Sequence, residues 1–252
     1  PQTDSGDSTS ILSSIDLAAL QGIKNEEPVV VQNDPLEFTQ SKILGTNNII
    51  NAQELKRNNP LGTEEMLRMI PGVAITGDMG LSNRLNIGIR GANPRRSTRV
   101  LALEDGSPIA VATYLDPQVY YNPPPERLSR IEVIKGPELL LYGGQSIFGA
   151  VNYISRIPSE KPKFDVQFSG GQQRFFSGLM GYSGRWGKFA MDASVMFKNF
   201  DGFVQNNNTR LFNFTTKMYY DFTPKSRAYF KVSYHQENAN TTYFGLTPFT
   251  FN

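Results

Sequence analysis

The sequence predicts an α+β domain, a small mixed sheet with short helices, followed by antiparallel strands of a transmembrane β-barrel. Two patterns predict this fold class. Between residues 86 and 156, short β-branched runs alternate with glycine pairs, which is typical of a small mixed sheet with tight strand ends. From residue 163 onward, apolar and polar side chains alternate with a period of two over segments of about ten residues, which is typical of barrel strands.

The composition limits the classes of function. The 252 residues carry a formal net charge of +2, so no strong electric field favours a nucleic-acid partner. The sequence contains no cysteine, which excludes disulfides, thiolate metal sites and cysteine nucleophiles within it. Its single histidine, His235, falls in a predicted strand, so neither a catalytic triad nor a metal site is expected. We therefore expect a protein that is not an enzyme and has no resident cofactor.

A polar arm, residues 1–45, opens the sequence and contains one strand-forming segment. That segment consists of Glu27, Pro28, Val29, Val30 and Val31. Consecutive valines favour an extended strand, and no partner strand is near in the sequence. Two interpretations remain open, namely that the strand packs on the next domain or that another protein pairs with it by adding a strand.

Two helix signals follow the arm. Residues 51–57 form the first, and Thr63 is expected to be the N-cap of the second, which has acids in its first turn. The apolar side chains of the second helix share one face, which is expected to pack on a sheet: Met66, Leu67 and Ile70.

The strands of the small sheet are predicted at residues 73–76, 86–90, 99–104 and 151–154, with a turn or short helix entering another strand over residues 127–134. Two long loops separate them, and loops on a compact scaffold are where binding usually resides. The first carries Arg95 and Arg96, and the second, residues 111–125, carries Tyr114 and Gln118.

The alternating segments beyond residue 163 have one apolar face and one face with charges such as Asp192, Lys217 and Lys231. A soluble sandwich is the alternative, but it would have to bury one face of each sheet in a dry core, where charge is costly. The pattern therefore favours a sheet with lipid on one side. The preceding mixed domain would have to lie inside such a barrel as a plug, and barrels that hold a plug have about 22 strands. We therefore expect the chain to be the N-terminal part of a longer protein.

Six short motifs follow one another between residues 62 and 152. They are residues 62–73, 87–91, 104–109, 131–137, 142–143 and 149–152. In this order they resemble the plug domain of the TonB-dependent outer-membrane receptors. The resemblance implies three parts: residues 1–45 as a flexible periplasmic arm with a candidate TonB box, residues 46–160 as the plug, and residues 161–252 as the first, incomplete set of transmembrane strands.

The resemblance also implies a function. It implies a transporter in the bacterial outer membrane, a multi-pass β-barrel with its plug and arm facing the periplasm. The partners would be TonB with its inner-membrane energising complex, outer-membrane lipid, and an iron chelate as cargo. The valine segment lies where the TonB box would be, so Glu27, Pro28, Val29, Val30 and Val31 are expected to contact TonB.

Among subfamilies, residues 93–99 and 142–146 most resemble the ferric-citrate receptors. Ferric citrate is a compact anion, and arginine forks bind carboxylates bidentately, so Arg95 and Arg96 are candidate binding residues. Tyr114 and Gln118 could add neutral hydrogen bonds. The alternative for both arginines is pairing with acids on the barrel wall. For two other arginines, Arg90 and Arg99, that structural role between plug and barrel is the prediction.

A second function stays open at this point. A non-transporting surface protein, either an adhesin or the partner of a surface lipoprotein, could use the same barrel as an anchor. Dependence of uptake on the proton gradient would separate the two.

Overall fold

The computed structural model of the protein describes residues 46–77, 81, 85–94, 97, 99–109, 121–136, 139, 147–203 and 205–240. Among these residues, the secondary structure consists of two α-helices, one 3-10 turn and twelve strands in three sheets. Neither helix in this part of the chain is both long and apolar enough to cross a membrane.

The first half of the structure, residues 46–155, is called the mixed-sheet region here. Its elements are β1 (Thr46–Asn51), α1 (Ala52–Asn58), α2 (Thr63–Arg68), β2 (Val73–Gly77), β3 (Leu85–Ile89), β4 (Val100–Glu104), β5 (Ser107–Pro108), a 3-10 turn (Pro125–Arg127), β6 (Leu128–Lys135) and β7 (Gly149–Ser155). Five strands form one sheet in the order β1-β6-β7-β4-β5, in which β4 and β7 are parallel and the other pairs antiparallel. Strands β2 and β3 form a separate antiparallel pair.

Both predicted helices are present. Asn51 caps α1 through a capping box with Glu54. The predicted apolar face of α2 is confirmed, since Met66, Leu67 and Ile70 are buried in the main hydrophobic cluster of this region. The predicted N-cap is wrong: Gly62 occupies that position with extended backbone, and Thr63 is the first helical residue. The Thr63 side chain is buried and interacts with Tyr153, so the core uses the hydroxyl that was expected to cap the helix.

Two tight turns shape this region. The predicted Asp105-Gly106 turn between β4 and β5 is confirmed, with φ of 50° and 78°, the left-handed pair that Asp-Gly favours. The strand predicted over residues 86–90 ends one residue earlier, at Ile89. Arg90 is outside it because its φ is 55° and its N–H donates to the carbonyl of Gly72, which turns the chain.

The second half of the structure, residues 163–239, is called the meander here. Its strands are β8 (Lys163–Gly170), β9 (Phe176–Trp186), β10 (Phe189–Phe200), β11 (Thr209–Thr223) and β12 (Ser226–Ala239). Each pairs antiparallel with the next in chain order. Tight turns join β9 to β10 and β11 to β12 at one end, and the longer connections lie at the other, as the sequence predicted in part.

The polarity of the two faces of the meander is the reverse of that in a sheet of a soluble protein. Its outward side chains are apolar and exposed, for example Phe164 at 66% and Phe230 at 58%. Its inward side chains are polar and covered, for example Lys217 at 1% and Asn213 at 1%. Such exposure of aromatic rings is costly in water and is the normal state of a lipid-facing barrel strand.

The predicted fold class, a mixed α+β region followed by antiparallel barrel-type strands, is confirmed. The five strands of the meander form an open sheet, with no closure among the described residues.

Candidate functional site

The four predicted binding residues, Arg95, Arg96, Tyr114 and Gln118, lie outside the described residues, as does the segment of residues 27–31. Their roles stay predictions. What the structure describes is how the chain is held on either side of the two loops.

The ends of the Arg95–Arg96 segment are fixed to each other and to β3. The backbone N–H of Ser97 donates to the carbonyl of Pro94 at 3.0 Å. The side chain of Ser97 is buried, and its Oγ accepts a hydrogen bond of 2.8 Å from the N–H of Ile87. The chain is therefore anchored immediately before and after the two arginines.

The chain is also held on both sides of residues 110–120, within which most of the predicted second loop (residues 111–125) falls. On one side, the N–H of Ile109 donates to the carbonyl of Ala102 at 3.1 Å. On the other, the hydroxyl of Tyr121 donates to Glu104 Oε2 at 3.0 Å, and the buried Asn122 accepts from the Tyr153 hydroxyl at 3.0 Å. The chain that carries Tyr114 and Gln118 thus ends in a buried hydrogen-bond network.

That network is part of a charged cluster, Glu104, Asp105, Arg127, Lys217 and Lys231, between the mixed-sheet region and the meander. Arg127 is buried and its Nη1 lies 2.7 Å from Glu104 Oε1, while its Nη2 donates to the Tyr121 hydroxyl. Lys217 Nζ lies 3.0 Å from Asp105 Oδ1. Lys231 forms ion pairs with both Glu104 and Asp105.

Opposing effects set the pKa values of the two carboxyls. Burial alone would raise the pKa of Asp105, but the charges of Lys217 and Lys231 outweigh it and lower the pKa to about 2. For Glu104, burial likewise acts upward, and Arg127 and then Lys231 bring the pKa below its ordinary value. Both carboxyls are therefore ionised at neutral pH.

The tyrosine at the end of the second loop stays protonated. Burial, assisted by the neighbouring Glu104 charge, raises the pKa of Tyr121 to about 12. Its hydroxyl is therefore a permanent donor to Glu104. The chemistry that this cluster offers is charge pairing and hydrogen bonding.

Sequence reasoning missed this cluster, although its parts were visible. Glu104 and Asp105 were singled out as part of a motif, and Lys217 and Lys231 as inward-facing charges. The missing information was the pairing, which joins residues more than a hundred positions apart in the chain.

Nearer the long-connection end of the meander, Lys198 makes a second contact of the same kind. Its Nζ lies 2.7 Å from Glu126 Oε1 and donates to the carbonyl of Leu61 at 2.7 Å. A third contact joins Arg156 to Asp165 at 2.8 Å, and Gly181 leaves the space in which that guanidinium lies.

A cavity of about 300 Å³ lies between the two regions beside these contacts. Three cations and three carboxylates are among its lining residues: Lys56, Arg156, Lys163, Glu126, Asp165 and Asp192. Buried polar atoms of Arg156 and Glu126 have no hydrogen-bond partner among the described residues. The balanced charge of these side chains gives no preference for an anion or a cation.

The two arginines predicted to be structural make contacts within the mixed-sheet region. Arg90 is exposed and its Nη2 donates to the carbonyl of Lys135 at 2.8 Å. Burial, and after it the Arg90 charge, lowers the pKa of Lys135. Arg99 stacks over the ring of Phe148, with 5.6 Å between its Cζ and the ring centroid. A role for either arginine in joining plug and barrel stays a prediction.

No cluster of histidine, cysteine, aspartate and glutamate that could hold a metal ion occurs in the described part of the chain. His235 lies on β12, edge-to-face against Tyr121 with ring centroids 4.8 Å apart, and its Nε2 is 3.6 Å from Glu237.

Comparison with known proteins relates the mixed-sheet region to one family. Residues 39–150 match the family model of the TonB-dependent receptor plug domain. The vitamin B12 transporter BtuB of Vibrio vulnificus (strain CMCP6) is 27% identical over 146 residues, which are 58% of this chain and 23% of the relative.

Solved structures show the same fold. The unliganded ferric citrate transporter FecA superposes with a TM-score of 0.67 at 23% identity, over 78% of this chain and 32% of that chain. The siderophore receptor PirA from Pseudomonas aeruginosa gives a TM-score of 0.57 at 22% identity, over 78% and 36% of the two chains. The chain therefore spans about a quarter to a third of the length of these relatives. All three are named as transporters or receptors, which agrees with the expectation that the chain is not an enzyme.

Proposed function

We propose that the chain belongs to the TonB-dependent receptors and is the plug and first wall strands of an outer-membrane transporter that imports an iron chelate. The mixed-sheet region is the plug, and the meander is part of the barrel wall. The observation that carries the proposal is the match of residues 39–150 to the plug-domain family, joined directly to a sheet whose apolar face is exposed.

The proposed mechanism involves no covalent chemistry. The chelate binds at the two anchored loops of the plug, and the arm with residues 27–31 then becomes available to TonB. TonB adds a strand to that segment and, driven by its inner-membrane energising complex, pulls. The plug moves within the barrel, and the chelate passes into the periplasm.

The proposed cargo is ferric citrate or a similar anionic chelate. Arg95 and Arg96 supply two guanidinium groups that match carboxylates, and the flanking contacts of Pro94 and Ser97 limit the entropy lost on binding. Tyr114 and Gln118 would add neutral hydrogen bonds from the second loop. The fold likeness to FecA is compatible with this cargo.

Equilibrium binding of iron citrate to the full-length receptor in membranes tests this proposal. Wild type is compared with Arg95→Ala/Arg96→Ala and with a control, Arg57→Ala/Arg68→Ala, which removes two exposed arginines from the plug helices. Because hydrogen bonds to charged groups contribute about 1.5–3 kcal/mol each, the first double variant should bind at least about tenfold more weakly. The control should bind as wild type does.

Three results would change the proposal. Wild-type affinity in Arg95→Ala/Arg96→Ala would return both arginines to a structural role. Absence of iron citrate binding to wild type, together with binding of cobalamin, would give the receptor the cargo class of its BtuB relative. Binding without uptake would favour the non-transporting surface protein that uses the barrel as an anchor.

A further inference from the structure

Lys217 and Lys231 are opposite each other on adjacent wall strands. They are register partners on β11 and β12, and both side chains face the plug, with 2% and 16% exposed. Like charges directly opposite on an antiparallel pair repel and destabilise a sheet. A counter-charge is therefore required at this point of the wall.

The plug supplies that counter-charge. One carboxylate, that of Asp105, is shared between the two lysines, with Oδ1 at 3.0 Å from Lys217 Nζ and Oδ2 paired with Lys231. The turn between β4 and β5 holds Asp105 in place, and Ser155 donates both its N–H and its hydroxyl to the same carboxylate. The two ammonium groups thus form a clamp for one carboxylate, one oxygen each.

The register partner of Lys217 on β10 is Asp192, whose Oδ1 also lies 3.8 Å from Nε of the Arg156 guanidinium. Lys231 has one additional carboxylate, Glu104, which also belongs to the plug. Displacement of the plug would therefore remove both carboxylates that Lys231 contacts, one of which Lys231 shares with Lys217.

The Lys198 contact repeats this arrangement closer to the long connections. Its carboxylate, Glu126, also comes from the plug. Lys198 is opposite Leu211, six residues before Lys217 on β11, which is about 20 Å along the strand. The wall therefore has two groups of lysines along this stretch, Lys198 in one and Lys217 with Lys231 in the other. Each group is paired with carboxylates of the plug.

We propose that the Lys217–Lys231 pair is a carboxylate-binding site on the barrel wall, which Asp105 of the plug occupies at rest and a carboxylate-bearing chelate occupies during passage. This inference rests on the proposed function. It extends that function by naming wall residues that the cargo contacts after it has left the plug loops. Exchange of one carboxylate for another replaces the counter-charge that the two lysines share when the plug moves, and loss of a counter-charge is the costly step for buried charges.

Chemical rescue tests the site without transport. Asp105→Gly in the full-length receptor vacates the clamp, and glycine suits the φ of 50° at this position. The variant should lose hydrogen-exchange protection in β4 and β7, and added acetate should restore it saturably, whereas chloride at equal ionic strength should not. The same experiment with Asp105→Gly/Lys217→Gln/Lys231→Gln should show no acetate effect. An equal effect of chloride, or rescue without the lysines, would overturn the inference.

Uptake of radioactive ferric citrate by cells tests the use of the site by cargo. The variant is Asp105→Asn/Lys217→Gln/Lys231→Gln, which removes the charges together and leaves no buried acid unpaired at Asp105. The control is Lys188→Gln/Lys225→Gln, two exposed lysines at the tight turns. We expect equilibrium binding unchanged in both, the maximal uptake rate of the triple variant lower by about tenfold, and the control unaffected.

Wild-type uptake by a triple variant that is correctly assembled would overturn the inference and leave the proposed function intact. Failure of wild type itself to import ferric citrate would instead contradict the proposed cargo, and acetate rescue would then decide on the site alone. If the triple variant does not reach the outer membrane, the rescue experiment decides in the same way.

Discussion

Asp105 is the residue on which the plug–wall contact depends most. Its carboxylate accepts hydrogen bonds from the N–H and hydroxyl of Ser155 and pairs with two wall lysines. Glu104 beside it also has two charged partners, but only one of them, Lys231, belongs to the wall, whereas the other is Arg127 of the plug. A charge at this site links the end of β7, the β4–β5 turn and the wall.

The pH dependence of stability should show the ionisation of Asp105. Its pKa falls from 3.8 to about 2 on folding, so the stabilisation is fully present above pH 3.8 and is lost as the pH falls through about 2. The shift corresponds to roughly 2 kcal/mol of the free energy of unfolding. The measurement is plug unfolding in denaturant, wild type against Asp105→Asn, with a dye on a cysteine introduced at exposed Arg57.

The difference between wild type and Asp105→Asn should be constant from pH 5 to 8 and shrink below about pH 4. A difference that instead changed near pH 6 to 7 would show that another group controls the contact.

At the scale of elements, β3 is in close backbone contact with the chain that leads to Arg95. A Cβ on Gly88 would lie 2.2 Å from the backbone oxygen of Ala92 and 3.0 Å from the nitrogen of Pro94, neither of which is a movable side-chain end. Gly88→Ala should therefore displace the chain that leads to Arg95, destabilise the plug by about 3 kcal/mol and weaken iron citrate binding.

Gly170→Ala is the matched control, because its Cβ would meet only the Phe175 carbonyl at 3.8 Å, an ordinary contact. It should change stability by less than about 0.5 kcal/mol. Thermal melting and binding of both variants check the pair, and equal behaviour would mean that β3 does not hold the loop.

The strands of the wall make a separate prediction about lipid exposure. Val195 faces outward in the middle of β10, and Phe222 faces outward near the tight turns. Arginine at the bilayer midplane of a barrel costs about 2–4 kcal/mol, and near the interface only about 0–1. Val195→Arg should thus lower the folded, heat-resistant fraction of the full-length receptor in membranes, and Phe222→Arg should leave it near wild type. The reverse order would contradict the assigned lipid face.

Elements whose apolar residues repeat with a regular spacing along the chain were predictable from the sequence. The period of two in β8–β12 was visible because lipid on one face and a polar interior on the other constrain every second residue. The apolar face of α2 was visible for the same reason. The N-cap of α2 was not, because Thr63 satisfies the cap pattern but is buried in the core.

The charged cluster could not be predicted, since it depends on register. Whether Lys217 is opposite Lys231 or a neighbour of it follows from the length and bulge of the β11–β12 turn. The pairing of Asp105 with both adds a contact across more than a hundred residues. For Arg95, Arg96, Tyr114 and Gln118, the prediction stands as the sequence made it.

At the scale of the whole molecule, plug and wall are held together by paired charges more than by apolar contact. The largest cluster of buried apolar residues lies within the plug, whereas the wall contributes lysines to plug carboxylates. An interface of this kind is strong while its charges stay paired. Each charged partner can also be replaced by another group of the same charge. That property is compatible with the proposed movement of the plug.

In the proposed mechanism, import is driven through residues 26–31. The decisive experiment is the initial rate of ferric citrate uptake by cells with the full-length receptor, with and without a protonophore, for wild type and for a deletion of residues 26–31. We expect the protonophore and the deletion each to reduce uptake to background while surface binding stays at the wild-type level. Energised uptake that continues at the wild-type rate in the deletion variant would contradict this mechanism.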